Sequence, residues 1–355
     1  MAEDGTQRID AARLRSFIVR MFIAIGMSEA NAVIVAEAMV EADLIGSDAH
    51  GCFRLGQYIS QIKTGEINPR PQITVERAKA TALLDGDRGL GHLTMTRAAD
   101  LAAELAGDFG IGWVGLRRSN HAGAIGNYAA NLAKRGMIAI CAAVSGVNQM
   151  GPSGSAEALI GTNPIAIAIP AGEEPPFVLD IATANVAFGK VKSARLEGKP
   201  LGANWMIDRE TGEPLTDAEL VHRGLMTAMG DYKGMGLSMA LGMLAGVLNG
   251  AAFGREVPDF AAPGSPQSRN TGQFVMALDI EAFRPLAAFT GDIDRHMRDF
   301  TGSKRLPGHY GVRLPGRERV VRRAERLRNG IPVSTARIAQ FDMLADSLGV
   351  TRLLG

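Results

Sequence analysis

The sequence has little cysteine. Cys52 and Cys141 are the only two among 355 residues, and they lie far apart without a pattern. A disulfide framework and a zinc knuckle are both excluded. Aromatic residues make up 5%, and no basic patch interleaved with them is visible, so a nucleic-acid module is excluded. Charge of one sign is lacking too. The formal net charge is +1, and no strong field draws a polyanion or an acidic membrane toward the chain. The start, MAEDGTQRIDAARLRSF, has acids before any apolar run and does not read as a secretory signal. A cytoplasmic protein is the expectation.

Long apolar runs are also scarce. One stretch, GMGLSMALGMLAGVLNGAAF (234–253), is nearly long enough to span a membrane. It is rich in glycine and alanine and contains Ser238 and Asn249, so it reads as a helix buried in a core or a subunit contact. Several signatures of chemistry are missing. No GxGxxG follows an early strand. GDRGLGH has glycines at 86, 89 and 91, spaced wrongly, and KGMGLS (233–238) lacks the third glycine. There is no GxxxxGK[ST], HExxH or GxSxG. P-loop phosphate transfer, zincin hydrolysis and the common serine-hydrolase architecture lose support, while an unusual cofactor fold stays open.

What is present has the texture of a soluble globular chain, with 46% apolar and 21% charged residues. Its length exceeds the size at which one core stops growing, so two domains are expected. Residues 10–25 and 29–46 have the spacing of amphipathic helices, the second capped by Ser28. Residues 53–67 read as a third helix. PRPQITVERA (70–79) reads as a linker entering a strand. Strands are predicted near 81–85, 111–118, 137–145, 163–170, 176–182 and 273–280, with helices over 95–110 and 123–136 between them. MIDRETGEPL (206–215) reads as a turn, and the last 50 residues as helix. RVVRRAERLR (319–328) reads as an ordinary solvated helix.

Four local patterns carry candidate chemistry. In DAHGCFR (48–54), Gly51 would permit a sharp helix start, with His50 at its mouth and Arg54 one turn on. An imidazole suits proton transfer near neutrality, and a guanidinium can hold a carboxylate by two hydrogen bonds. The bland alternative is a capping histidine beside a surface arginine. In RRSNHAG (117–123), His121 would sit in the first turn of a helix, whose field disfavours its protonation; a plain helix cap is equally open. Asp180 ends an apolar strand and could orient a histidine, accept cofactor hydroxyls or cap a helix. Lys233 opens the long apolar helix and could meet an anion or face solvent. His92, His222, His296 and His309 have no partners at metal-ligand spacing and read as structural or surface.

Taken in order, these segments resemble the malate/L-lactate dehydrogenase family of the second, non-Rossmann type. The residues that carry the likeness are DAHGCFR (48–54), SNHAGAIGNYA (119–129), GTNPIAIAIP (161–170), LDIATANVAFGKV (179–191), YKGMGL (232–237) and LPGRER (314–319). The family includes oxidoreductases for malate, sulfolactate, ureidoglycolate, diketogulonate and cyclic imino acids. The resemblance implies an α+β fold with a large, mostly antiparallel mixed sheet. It implies a helical part made by residues 1–72 and 305–355, a cofactor-binding part over 73–304, and an active site in the cleft between them. It further implies NAD or NADP as cofactor, a small carboxylate substrate, a homodimer and no metal. Hydride would pass between nicotinamide and C2 of a 2-hydroxy or 2-oxo acid. His50 would then be the proton carrier, Arg54 the carboxylate clamp, and His121 a second histidine facing substrate or nicotinamide. Asp180 would hold an imidazole or touch cofactor. Ser145, Asp180, Ile181, Ala182, Lys233, Pro315, Gly316 and Arg317 would line the cofactor.

Three departures bear on substrate. Alanine stands at 49 and at 122, where the family usually has serine and an aromatic, and Arg317 displaces a glutamate. The smaller Ala122 would leave room near His121, and Arg317 would favour the extra phosphate of NADP. The main rival reading is a reductase of cyclic 2-imino acids, or a dehydrogenase for ureidoglycolate or sulfolactate. A non-catalytic binding relative is the rival from another class.

Overall fold

In the computed structural model, which describes residues 5–258 and 269–355, strand β1 (Thr6–Ile9) leads into helices α1 (Ala11–Ala24), α2 (Glu29–Leu44) and α3 (Leu55–Lys63). Met1–Asp4, where the N-terminal reading began, lie outside the described residues. Next come β2 (Thr74–Ala78), β3 (Thr81–Asp85), α4 (Gly91–Phe109), β4 (Ile111–Ser119), α5 (Gly126–Ala133) and β5 (Met137–Ala143). β6 (Ile165–Ile169), β7 (Phe177–Ile181), α6 (Phe188–Leu196), β8 (Met206–Asp208), β9 (Gly224–Met226), α7 (Tyr232–Ala245) and β10 (Thr271–Asp279) follow. The chain closes with α8 (Leu286–Gly302), α9 (Arg317–Asn329), β11 (Ile331–Ser334) and α10 (Thr335–Leu348).

Hydrophobic spacing accounts for the helical ends. In α1, Leu14, Phe17, Ile18, Met21 and Phe22 are buried. They recur at the three- and four-residue steps of one helical face. Asp10 starts the helix by accepting the Arg13 N–H at 2.9 Å. Ser28 caps α2 as its position predicted. These helices share one core with Ile331 and Val333 of β11 and Ile338, Phe341 and Ala345 of α10. β1 pairs antiparallel with β11, Thr6 opposite Ser334. The two ends of the chain are therefore joined. β11 also corrects the expectation of an all-helical C-terminus.

The large sheet runs β2-β3-β4-β10-β5-β6-β7. Only β3 and β4 pair parallel; every other neighbour is antiparallel. The apolar run of β10 is explained by its place between β4 and β5, covered on both faces. Residues 206–215, expected as a turn, contain β8, which pairs with β9. The long apolar stretch helps form a buried face, but α7 stops at Ala245. Among the described residues no helix is long and apolar enough to cross a membrane.

The register decides where chemistry can gather. Ser119 lies opposite Thr271, Gln273 opposite Ala143, Ala142 opposite Ile165, and Ile165 opposite Ile181. The last residues of β4, β5 and β7 thus share one end of the sheet. Alanine-rich α4 packs on β4 so closely that a Cβ on Gly112 would fall on the Ala102 carbonyl. Gly112→Ala is therefore expected to destabilise the fold by ~1–3 kcal/mol. The check is a lower urea midpoint with an unchanged m-value.

Candidate active site

His50 closes one 3-10 turn, Asp48–His50, and Cys52–Arg54 forms another, with Gly51 between them. Gly51 has φ −91°, so it is not needed for a left-handed turn. Its small size serves a close approach: a Cβ there would fall on the carboxylate of Asp43. That carboxylate accepts the Cys52 backbone N–H at 2.8 Å. Burial pushes its pKa up to about 7, against the pull of the Cys52 hydrogen bonds and of Arg326. Arg326, nearly buried, donates both to the Asp43 carbonyl oxygen and to the Asp48 carboxylate. The histidine turn is pinned from beneath at two points.

The segment after β4 is pinned as firmly. The Asn120 side chain donates to the Arg88 and Gly89 carbonyls at 2.8 and 3.1 Å, and Gln273 donates to the Asn120 carbonyl at 2.8 Å. His121 follows. It precedes α5, which starts only at Gly126, so a helix field is not what governs it. Gly123 has φ +67°, and a Cβ there would lie 2.7 Å from His92 Nε2 and 3.5 Å from the His50 carbonyl oxygen. A glycine at this place lets the two histidine segments meet.

The result is a cluster of three imidazoles and a phenol. The rings of His50 and His121 stack at 5.5 Å with 17° between their planes. His92, buried at the start of α4, stands edge-on to Tyr58 at 5.3 Å and to His121 at 6.5 Å. Tyr58 Oη lies 2.6 Å from His121 Nδ1. Burial, then the Arg54 charge, holds His50 down at about 4. Burial and His50 hold His92 down at about 3. Burial, His50, Arg54, His92 and Arg269 together hold His121 well below the usual histidine range. Each ring is neutral near pH 7. Arg54 closes the second of the two 3-10 turns, and the non-helical Gly51 separates it from the turn that ends at His50, where the spacing predicted one continuous helical turn. Its Nε donates to the Ala49 carbonyl at 2.9 Å and its Nη1 to Gln57 at 2.7 Å. Its Nη2 has no protein partner among the described residues.

The remaining candidates fall into separate places. Ser145 follows β5. Its N–H donates to Asn163 Oδ1 at 3.0 Å, and its hydroxyl lies 3.0 Å from that of Thr162. Asp180 and Ile181 end β7, Ala182 follows, and all three are partly buried. Asp180 accepts the Gly126 N–H at 3.0 Å and faces the charge of Arg319. Burial raises its pKa, while Arg319 and that amide oppose the rise. No hydrogen bond joins Asp180 to an imidazole among the described residues. Pro315 accepts the Val178 N–H at 3.2 Å, and Gly316, with φ +94°, packs against Pro176 and Val178. Arg317 opens α9 and is exposed, as is Lys233 in the first turn of α7. Among the described residues no hydrogen bond or ion pair ties Lys233 to the other candidates.

Several residues in the site carried no assigned role in the sequence. His92 read as structural or surface, yet it is a wall of the cluster. Tyr58 stands four residues after Arg54, one helical turn further along the same face, and that spacing could have marked it. RVVRRAERLR is not simply solvated. Arg319, Arg323 and Arg326 turn inward, to Asn127 at 2.7 Å, to Glu41 at 2.9 Å, and to Asp48. Ala122, expected to leave room near His121, is 4% exposed and packs in the sheet core with Tyr128. Among the described residues no group of three His, Cys, Asp or Glu side chains could hold a metal ion.

Residues 9–342 match the family described as malate/L-lactate dehydrogenase. The chain belongs to this family. It is 36% identical to a malate dehydrogenase of Pyrococcus horikoshii over 98% of this chain and 97% of that protein. It is 31% identical to the ureidoglycolate dehydrogenase (NAD(+)) of Escherichia coli O157:H7, covering 92% of each. A (2R)-3-sulfolactate dehydrogenase (NADP(+)) of Chromohalobacter salexigens is 30% identical over 90% of this chain and 93% of its own. A solved structure of malate dehydrogenase from Pyrococcus horikoshii OT3 superimposes with a TM-score of 0.89 at 34% identity, covering 99% of this chain and 98% of that one. Membership makes this chain an oxidoreductase and accounts for the absent GxGxxG, since the fold is the family's own α+β arrangement.

The electrostatics can be checked directly. In a proton NMR titration the His50 ring is expected to titrate near about 4. His92 and His121 are expected to stay neutral between roughly pH 5.5 and 8. A midpoint near 6.5 for any of the three would show that burial does not govern it.

Proposed function

We propose that this chain transfers a hydride between a nicotinamide cofactor and C2 of a small 2-hydroxy or 2-oxo acid. The observation that carries the reading is the stacked His50–His121 pair beside Arg54. Two neutral imidazoles can take a proton from a hydroxyl, and the adjacent guanidinium can hold the carboxylate that fixes C2 in place. The names of the relatives support this substrate class, because malate, ureidoglycolate and sulfolactate each carry a carboxylate next to the carbon that is oxidised. The site would lie in the cleft between residues 73–304 and the part formed by 1–72 and 305–355.

The residues at the sheet end fit a nicotinamide dinucleotide. The hydroxyls of Ser145 and Thr162 stand together, and Asp180 lies so near the start of α5 that a Cβ on Gly126 would come within 2.5 Å of its carboxylate. These groups would bond amide and ribose hydroxyls, and Arg319 would balance phosphate charge. When bound, the nicotinamide supplies the two-electron acceptor or donor. His50 and His121 hold or move the proton, Arg54 orients the acid, and the buried ring of His92 keeps water from the other two. Support for a homodimer comes from Met243, Leu244, Val247 and Leu248, an exposed apolar group at the end of α7.

The test is an absorbance assay with NAD(H) and NADP(H) against malate, lactate, sulfolactate, ureidoglycolate and a cyclic imino acid. Turnover of a 2-hydroxy acid is expected; reduction of the imino acid alone would reject the reading. His50→Ala should abolish turnover while cofactor binding survives. Arg54→Ala should raise the KM for the acid roughly tenfold to a hundredfold with a smaller change in kcat, the effect of one lost charged hydrogen-bond pair. In the oxidative direction the base works deprotonated. Its lowered pKa keeps that form present as pH falls, so kcat/KM should hold below 6.5 and decline only toward about 4.

A further inference from the structure

We propose that Tyr58 is a positioning residue: its hydroxyl locks His121 as an Nε2–H hydrogen-bond donor, so that His50 alone exchanges the proton with substrate. The inference rests on the hydride-transfer reading above and divides the work of the two histidines.

Two groups converge on one ring nitrogen. Tyr58 Oη lies 2.6 Å from His121 Nδ1, and the Gly123 backbone nitrogen lies 3.3 Å from it. A backbone amide only donates, so Nδ1 meets it with a lone pair. A proton on Nδ1 would remove the lone pair that accepts the Gly123 N–H. A neutral imidazole carries one N–H, and here it resides on Nε2. Nε2 has no protein partner among the described residues and is left to donate to a substrate oxygen.

The surroundings keep this arrangement. Tyr58 is 0% exposed, and its ring is fixed edge-on against His92. Neither nitrogen of His92 has a hydrogen-bond partner among the described residues, so His92 does not compete for the phenol. The charged and titratable groups that act on His121 are His50 and Arg54 from the paired turns, His92 from α4, and Arg269 beside β10. None is a carboxylate. An acid–imidazole pair would hold the proton on the buried nitrogen; a donating phenol does the reverse.

His50 is unlike its neighbour. Its Nδ1 is buried with no partner among the described residues, and nothing there selects its tautomer. In oxidation the substrate O–H bond breaks and its proton passes to the His50 lone pair. The oxygen electron pair closes the C2 carbonyl as the C2–H bond breaks and the hydride leaves to oxidised nicotinamide. His121 donates to that oxygen throughout and gains no proton. Reduction runs the same transfers backward. For His121 to accept the proton, its lone pair would have to be taken from Tyr58 inside a buried site.

Long-range proton–nitrogen correlation spectra of the histidine-labelled protein test the lock without any turnover. The expected result is a lone-pair Nδ1 and a protonated Nε2 on His121. Tyr58→Phe, which keeps the ring, should give a mixture of tautomers and a kcat lowered about tenfold or more, the effect of one lost buried hydrogen bond, with the substrate KM little changed. A protonated Nδ1 in the wild-type protein overturns the proposal, as does a Tyr58→Phe protein with wild-type tautomer and kcat. If that variant does not fold, the wild-type spectrum decides. A lone-pair Nδ1 in a protein that oxidises no 2-hydroxy acid sinks the reaction and the division of roles, but not the tautomer lock.

Discussion

Arg326 brings a positive charge into a nearly sealed place between α9 and the turn at His50. A buried guanidinium is tolerated only when its donors find acceptors. Here they find the Asp43 carbonyl oxygen and the Asp48 carboxylate, on either side of the turn's beginning. Satisfying that one group sets the path of the chain from α2 into His50. Asp43 completes the arrangement from below by accepting the Cys52 amide, and the missing side chain at Gly51 makes room for it. The same helix face continues to Arg323, which meets Glu41, and to Arg319, which meets Asn127 and faces Asp180. One helix from the end of the chain thus braces both the turn that holds His50 and the edge of the sheet.

That bracing has an electrostatic consequence. Three imidazoles lie within ring contact of Tyr58 or of one another, and among the described residues none has a carboxylate partner. Burial therefore decides their charge, and it decides for neutrality. Arg54 reinforces the effect on His50 and His121 because a second positive charge beside it is unfavourable. A cluster of neutral imidazoles beside the Arg54 guanidinium suits the capture of an anionic carboxylate. It also leaves imidazole nitrogens able to accept or offer a hydrogen at neutral pH.

Most strands and helices were legible because burial imposes a period on the chain. The face of α1 at Leu14, Phe17, Ile18, Met21 and Phe22 and the continuous apolar run of β10 are both local records of what each element packs against. β11 was hidden because its four residues pair with β1, more than 300 positions away, and carry no period of their own. The charged helix α9 misled for a related reason. Its arginines have the composition of a wet surface, and only their acceptors in α2, α5 and the turn at Asp48 show that one face points inward. His92 was equally opaque. A histidine at a helix start is unremarkable until Gly123 brings the segment after β4 against it.

By itself, the sequence determined the class of chemistry. The order of short motifs from DAHGCFR to LPGRER sets the family, and the four-residue step from His50 to Arg54 keeps an imidazole and a guanidinium close along the chain, since both are local properties of the sequence. The tertiary structure alone decided the company these residues keep. Sheet register gathered the ends of β4, β5 and β7, a glycine with positive φ let His92 reach the pair, and the fold put Tyr58 rather than Asp180 on His121. The physical reason is that tautomer and charge depend on which groups lie within about 3 Å and on how much water is excluded, and neither quantity is written in any one segment.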